Sequence, residues 1–308
     1  MLRSALITAS RSANCRDLAE RTPLVRPVVD RFVAGPTTGD AIAVARELAA
    51  DRLISLDHLG EDTHSRAQAG QAVESYRTLL RRLADEGLGE RAEVSVKLSA
   101  LGQALPGDGG KIALANTWRI CEAAAAAGTM VTVDMEDHTT TDSTLSIVQA
   151  LRADFRDTGT VLQAHLKRTE GDCADLAGPN SRIRLCKGAY DEPASVAYRA
   201  KSDVDASYVR CLKVLMSGQG HPMVATHDSR LLEIAMRLAD QAGRSRDDYE
   251  LQMLYGVRPA LQAELARNGL RLRVYLPYGT EWYPYFMRRL GERPANLTFF
   301  LRSLTGRR

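Results

Sequence analysis

The sequence has no CxxC pair, no glycine-rich GxGxxG turn and no GxxxxGKS/T loop. It also has no apolar run near the ~18 residues that a membrane span requires. Its five cysteines, Cys15, Cys121, Cys173, Cys186 and Cys211, are odd in number and widely spaced. That usage argues against a disulfide framework or a zinc ribbon and points to reduced thiols in a cytoplasmic protein. The N-terminal stretch is too poor in consecutive apolar residues for a signal peptide. Without GxGxxG, the usual first turn of a doubly wound dinucleotide fold is missing. Charge of neither sign dominates: 41 Lys and Arg stand against 38 Asp and Glu, a net +3. The balance offers no argument for nucleic acid, and no nucleic-acid partner is expected. Lysine is missing locally too. From Leu251 to the end there are ten Arg, no Lys and three acids, Glu264, Glu281 and Glu292. This C-terminal fifth is an anion-attracting surface, either a solvated face or a site.

The remaining composition is that of a globular chain, with 44% apolar and 26% charged residues in 308. Disordered, collagen-like and coiled-coil readings drop out. Eight short runs rich in Val, Ile and Leu are expected strands: 53–56, 94–98, 130–135, 160–164, 183–186, 223–225, 250–254 and 272–276. Several are nearly continuous apolar runs, as expected of strands covered on both faces. Helical spacing lies between them, clearest at Ala69, Ala72, Val73, Tyr76, Leu79, Leu80 and Leu83, with Gly87 as a stop. Pro259 opens another helix, and Asp228 and Ser229 are candidate caps for a third. Strand–helix alternation repeated eight times predicts an α/β protein of the (β/α)₈ TIM type, which needs roughly 250 residues. Residues 1–50 are expected to be an N-terminal helical extension, with 40–49 its best helix. The barrel is expected over 51–300 and a basic tail over 301–308.

In such a barrel the chemistry sits where strands give way to βα loops. Those points carry Asp57, His58, Glu61 and Asp62; Lys97; Asp134, Met135, Glu136, Asp137 and His138; Gln163, His165, Lys167 and Arg168; Arg184, Lys187 and Tyr190; Thr226, His227 and Asp228; Glu250 and Gln252; Tyr275 and Tyr278, then Trp282, Tyr285, Arg288 and Arg289. Any one of them reads as a helix cap or a hydrogen-bonded core residue. Converging on one mouth, they would be costly to bury without a ligand.

Three chemistries fit. Asp134, Glu136 and His138 alternate, so an extended backbone would aim all three at a divalent metal. Lys97 or Lys187 could form a Schiff base. Alternatively, a redox cofactor could face an organic acid gripped by Arg288 and Arg289, since the guanidinium fork matches a carboxylate. Adjacent helical residues point about 100° apart, so one arginine can face the mouth while the other braces it. Tyr285 precedes the pair by three and four residues, placing an aromatic beside a cation. A non-catalytic amino-acid-binding barrel would keep the same arginine pair.

The segments DHLGED (57–62), VSVKLSALG (94–102), VTVDMED (131–137), VLQA (161–164), RIRLCKGAY (182–190), VATHD (224–228), YELQMLYGVR (249–258) and RVYLPYGTEWYPYFMRRLGERPAN (273–296) resemble the proline dehydrogenase family. The resemblance runs from about residue 31 to about residue 300. It implies a distorted (β/α)₈ barrel with FAD at its C-terminal mouth and L-proline as substrate, oxidised to Δ1-pyrroline-5-carboxylate by hydride transfer from C5. It further implies a monofunctional chain, membrane quinone as electron acceptor and a separate pyrroline-5-carboxylate dehydrogenase downstream. A cytoplasmic location follows, peripheral on the inner face of the membrane if the basic C-terminal fifth docks there.

Carried over by resemblance, Arg288 and Arg289 hold the substrate carboxylate and Lys97 lies near it. Asp134 is the active-site aspartate, and Arg184 stands beside the flavin. Tyr190, Tyr275 and Tyr285 are aromatic walls and Leu254 an apolar one. Gln163, Lys187, Gly188, Ala189, Thr226 and His227 match flavin-binding positions, with Met135 beside a backbone contact. Glu61 is a gate that pairs with Arg288. The bulk of Tyr275 is expected to favour proline over 4-hydroxyproline.

Overall fold

The computed structural model describes residues 25–61 and 63–292. Cys15, Asp62, the first half of the expected N-terminal extension and the expected basic tail lie outside the described residues. Eight parallel strands pair in sequence order, and β8 closes on β1. They are β1 (Leu53–His58), β2 (Ala92–Val96), β3 (Val131–Val133), β4 (Gly159–Gln163), β5 (Arg182–Cys186), β6 (His221–Ala225), β7 (Glu250–Leu254) and β8 (Leu272–Tyr278). The helices α1 (Arg26–Val29) and α2 (Thr38–Leu48) precede β1. Between strands run α3 (Arg66–Asp85), α4 (Gly109–Ala126), α5 (Thr141–Arg152), α6 (Thr169–Leu176), α7 (Lys201–Ser217), α8 (Ser229–Gln241) and α9 (Pro259–Arg267). After β8 comes α10 (Trp282–Glu292).

The local signals act as their chemistry dictates. Thr37 and Asp40 form a reciprocal capping box on α2, and Asp228 accepts the Arg230 amide to start α8. Gly87 takes φ +67° just past α3, a conformation that costs residues with a Cβ.

Two strands stop two residues short of the sequence expectation, while β1 and β8 run two residues beyond it. β2 ends at Val96, so Lys97 follows the strand. β3 ends at Val133; the Asp134 amide still donates to the Val96 carbonyl at 2.8 Å, but the Glu136 carbonyl is taken by the Gln163 side-chain amide at 2.6 Å.

The larger correction concerns the strand faces. In β1, β2, β5, β7 and β8 one face is apolar and the other largely polar, while Val161 of β4 and Met223 of β6 keep apolar side chains inside the barrel. Ile54 and Leu56, Val94 and Val96, Ile183 and Leu185, Leu251 and Met253, and Val274 and Leu276 pack outward into two apolar clusters under the helices. The alternate residues, one pleat away, point into the barrel. These are Ser55 and Asp57, Glu93 and Ser95, Arg182 and Arg184, Glu250 and Gln252, and Arg273 and Tyr275, and most are fully buried. The barrel interior is therefore ionic. Glu93 meets Arg182 at 2.7 Å and Arg184 at 3.0 Å, with Arg273 at 3.8 Å, and Glu250 meets Arg273 at 2.7 Å. Above them Asp57 meets Lys97 at 2.6 Å and Asp134 meets Arg184 at 2.7 Å. The carboxylates of Asp57, Glu93, Asp134 and Glu250 thus face Lys97, Arg182, Arg184 and Arg273 one for one.

Burial alone would raise the Glu93 carboxyl, but Arg273, Arg182 and Arg184 hold it well below the ordinary carboxylate range. A depressed folded-state pKa contributes stability above the unfolded value, lost as pH falls through the folded one. The protein is therefore expected to lose stability as pH drops below 4.5 towards about 2. Glu93→Gln should cost about 3–5 kcal/mol near neutrality, since it strands buried guanidiniums. It should also flatten that acid limb. Urea unfolding of both proteins across this pH range is the check, and a variant as stable as the parent would refute the account.

Candidate active site

At the centre of the mouth stands Arg184, on β5 and pointing up the barrel axis. Every arm of its fork is used. Nε donates to Gln252 at 2.5 Å, Nη1 to Asp134 at 2.7 Å and Ser95 at 2.8 Å, and Nη2 to Ser55 and Glu93 at 3.0 Å each. Asp134, the first residue beyond β3, also accepts the Ser95 hydroxyl at 2.8 Å and the Tyr275 hydroxyl at 2.8 Å. The Arg184 guanidinium lies over the Tyr275 ring, 5.2 Å from its centroid. A group with all its donors engaged is fixed in position as well as in charge.

Lys97 sits beside this group, bonded to Asp57 and 3.7 Å from Asp134. Burial works against its charge, but Asp57, Asp134 and Glu61 more than compensate and raise its pKa. A Schiff base needs a neutral amine, which this setting withholds. Lys187 is turned away from the centre, onto Asp205 at 2.5 Å with Asp228 at 3.7 Å. The alternation of Asp134, Glu136 and His138 does not survive the end of β3. Asp134 goes to Arg184, Glu136 to the Ser99 amide at 2.9 Å and the Ser99 hydroxyl at 2.5 Å, and His138 to Glu192. These three do not converge on a point, so the metal reading has no cluster to rest on.

At the rim, α10 presents Arg288 to Glu61 in a two-pronged pair at 2.6 and 3.1 Å. Burial would raise the Glu61 carboxyl, and the Arg288 charge holds it below its ordinary value instead. Arg289 lies over the Tyr285 ring at 5.2 Å, the aromatic–cation pairing that the helical spacing predicts. Tyr190 is within electrostatic reach of Glu136, Glu61 and Arg288, and burial raises its hydroxyl pKa well above the ordinary value. Arg288 in turn feels Asp57, and Glu61 feels Lys97, so rim and centre belong to one mouth.

A second arc follows the ends of β4 to β7. Gln163 is buried at the end of β4, and Met135 is buried near it. Gly188 takes φ +103°, and a Cβ there would stand 2.5 Å from the His165 ring. Ala189 follows, half-buried. Thr226 accepts the Asp228 amide, and His227 Nε2 accepts the Leu254 amide at 2.9 Å. Leu254 is half-buried and pairs in register with Tyr275.

Sequence reasoning did not single out Glu93, Ser55 and Ser95, which bond Arg184, or Arg182 and Arg273, which pair with Glu93 and Glu250. Their signal is a polar residue at every second position of an otherwise apolar strand.

A closed parallel barrel with its polar side chains gathered at the C-terminal ends of the strands has the architecture of a (β/α)₈-barrel enzyme. The model of the proline dehydrogenase family matches residues 41–302. A proline dehydrogenase of Deinococcus radiodurans is 38% identical over 307 residues, 99% of this chain and 98% of that protein. Proline dehydrogenase 2 of Bacillus subtilis is 37% identical over 281 residues, 91% of each chain. The crystal structure of proline utilization A from Bdellovibrio bacteriovorus, inactivated by N-propargylglycine, superposes with a TM-score of 0.79 at 25% identity. It is matched over 86% of this chain, which spans only 32% of that much longer one. Proline utilization A from Bradyrhizobium japonicum shares the fold, with a TM-score of 0.73 at 23% identity over 89% of this chain and 32% of that one. The chain belongs to the proline dehydrogenase family, oxidoreductases of the first step of proline catabolism.

Glu136 yields a test of the site's electrostatics. Burial pushes its carboxyl up to about 7, although both Ser99 donors pull it down. A raised folded-state pKa favours the protonated form, so this group's contribution is intact below 4.5 and is lost as pH rises through about 7. Glu136→Gln mimics the protonated acid and should remove that loss. Relative to the parent, the variant is expected to gain up to about 3 kcal/mol between pH 5 and pH 8. Urea denaturation at the two pH values checks this, and an unchanged difference would contradict it.

Proposed function

We propose that this chain oxidises L-proline to Δ1-pyrroline-5-carboxylate with FAD bound across the β4–β7 arc. The observation that carries the reading is that Arg288, paired with Glu61 at the rim, and Arg184, a fully engaged cation at the centre, belong to one mouth. On this reading Arg288 and Arg289 form the carboxylate clamp. The residues fit the cofactor. Gln163, Arg184, Lys187, Thr226 and His227 bring amide, guanidinium, ammonium, hydroxyl and imidazole groups to the arc, suited to the ring heteroatoms and phosphates of FAD. Gly188 stands where a Cβ would strike His165. When bound, FAD supplies the acceptor for the hydride leaving C5 of proline.

The side chains orient and tune. Arg288 and Arg289 take the carboxylate, with Glu61 holding Arg288 at the edge as a gate. Tyr190, Tyr275, Tyr285 and Leu254 wall the ring and exclude water, an orientation effect. Arg184 is placed to stabilise negative charge that develops on the acceptor, without reorganising. Asp134 keeps Arg184 and Tyr275 in register. Burial and the Asp134 carboxylate keep the Tyr275 hydroxyl protonated, and Lys97 stays charged. Neither takes a proton near neutrality, and Glu136, whose carboxyl is raised to about 7, is turned onto Ser99, so on this reading the substrate amine enters already neutral.

We further propose membrane quinone as the acceptor and a separate pyrroline-5-carboxylate dehydrogenase as the consumer of the product. A cytoplasmic, membrane-peripheral location fits this: among the described residues no helix is long and apolar enough to cross a bilayer.

The visible spectrum of the purified, FAD-reconstituted protein should bleach on anaerobic addition of L-proline. Arg288→Ala and Arg289→Ala are each expected to raise KM for proline about tenfold to a hundredfold, the worth of a charge-assisted hydrogen bond, with kcat far less changed. In the parent, kcat/KM should climb about tenfold per pH unit below the pKa of the substrate amine. A spectrum unmoved by proline would sink the reading.

A further inference from the structure

The helix that carries the arginine pair is not packed into either apolar cluster of the barrel. The buried side chains of α10, Trp282, Tyr283, Tyr285, Phe286 and Met287, form a third cluster with Val25, Val28, Val29, Phe32 and Val33 from the segment before α2, joined by Leu59. Phe32 packs against Phe286 with ring centroids 6.3 Å apart, and Trp282 meets Phe286 edge-on at 5.8 Å.

The segment is pinned at the ends of two neighbouring strands, β8 and β7. The Ala34 amide donates to the Pro277 carbonyl at 2.9 Å, and the Gly279 amide donates to the Gly35 carbonyl at 2.9 Å. Both bonds fall where β8 turns into α10. Just past β7, Gly256 lies so close beneath Arg31 that a Cβ would overlap the Arg31 carbonyl oxygen. Phe286 and Arg288 are two residues apart, about 200° around the helix. Seating Phe286 on Phe32 therefore turns Arg288 to the opposite side, where Glu61 receives it.

We propose that residues 25–35 are a strap that sets the rotation of α10 and, through it, the direction of Arg288 and Arg289. Phe32 is then a positioning residue for the substrate carboxylate. The proposal rests on the carboxylate role given to that pair above. It assigns the strap a part in substrate affinity, distinct from the chemistry at Arg184 and from the flavin arc.

The test is steady-state kinetics of the FAD-loaded enzyme with L-proline. Phe32→Ala should raise KM about tenfold while kcat stays within about threefold, because a misdirected clamp weakens binding more than the step that follows. Phe32→Leu refills the apolar seat and should restore most of the affinity. If Phe32→Ala fails to fold, the milder Val33→Ala in the same apolar cluster should reproduce the KM signature in part. In an Arg288→Ala background, Phe32→Ala should add less than about threefold, since both changes then act through one contact. An unchanged KM, an equal loss in kcat, or full additivity with Arg288→Ala would overturn the proposal. If Arg288→Ala raises KM and the strap variants do not, the strap alone falls. If Arg288→Ala leaves KM unmoved, the carboxylate reading falls first and the strap proposal with it.

Discussion

The contact on which the structure most depends is the buried pairing of Glu93 with the guanidiniums of Arg182 and Arg184. Taking each ion out of water costs several kcal/mol even after relaxation, and Coulomb attraction returns this only when geometry and hydrogen bonding are complete. Here they are complete. Glu93 is fully buried and spans both arginines, while Ser55, Ser95 and Gln252 take the donors that the carboxylates leave over. An apolar filling would have closed the barrel as well. The ionic filling does something that apolar packing cannot: it brings a cation up the axis and delivers Arg184 to the mouth already held from below.

That delivery decides the character of the site. Asp134 accepts hydrogen bonds from Ser95, Arg184 and Tyr275, so it locks the groups around it and is itself locked. Tyr275 keeps its proton and Lys97 its charge under the same fields. The centre of the mouth is electrostatically fixed and does not shuttle protons near neutrality. Such a centre suits a reaction in which a bound cofactor does the redox chemistry and the protein contributes position and potential.

Much of the fold was legible in the sequence because the outward face of each strand is apolar at every second position. What lies inside was not. A polar residue alternating with Ile or Leu looks the same whether it faces solvent or a barrel axis, and its partner is remote: Glu93 and Arg184 are separated by 91 positions. Asp134, Glu136 and His138 show how a correct periodicity misleads, since the strand ends at Val133 and each residue finds a different partner. The pairing of Glu61 with Arg288 spans 227 positions. Only resemblance to a family, not local pattern, anticipated it. The segment before α2, read in sequence as helical padding, has too short a helix to announce itself. Its apolar residues become meaningful only against α10.

The two halves of the mouth are thus anchored by different physics. The centre hangs on buried charge inside the barrel. The rim hangs on an apolar cluster outside the barrel's own cores, tied to the centre by one part-buried ion pair. Magnitudes settle which of the rim's contacts governs. A part-buried pair such as Glu61–Arg288 returns little beyond the cost of desolvating its two ions. Each aromatic contact adds about 0.5–1.5 kcal/mol beyond area burial, and burying a side chain the size of Phe contributes roughly 1.5–3 kcal/mol. Phe32, Trp282 and Phe286 together therefore outweigh Glu61. Packing on the strap orients α10, and Glu61 only steers the Arg288 side chain once the helix is in place. A rim built this way can shift as a unit without disturbing the ionic interior. Under the proposed function, substrate would then enter past the rim while the buried charges that hold Arg184 stay in place.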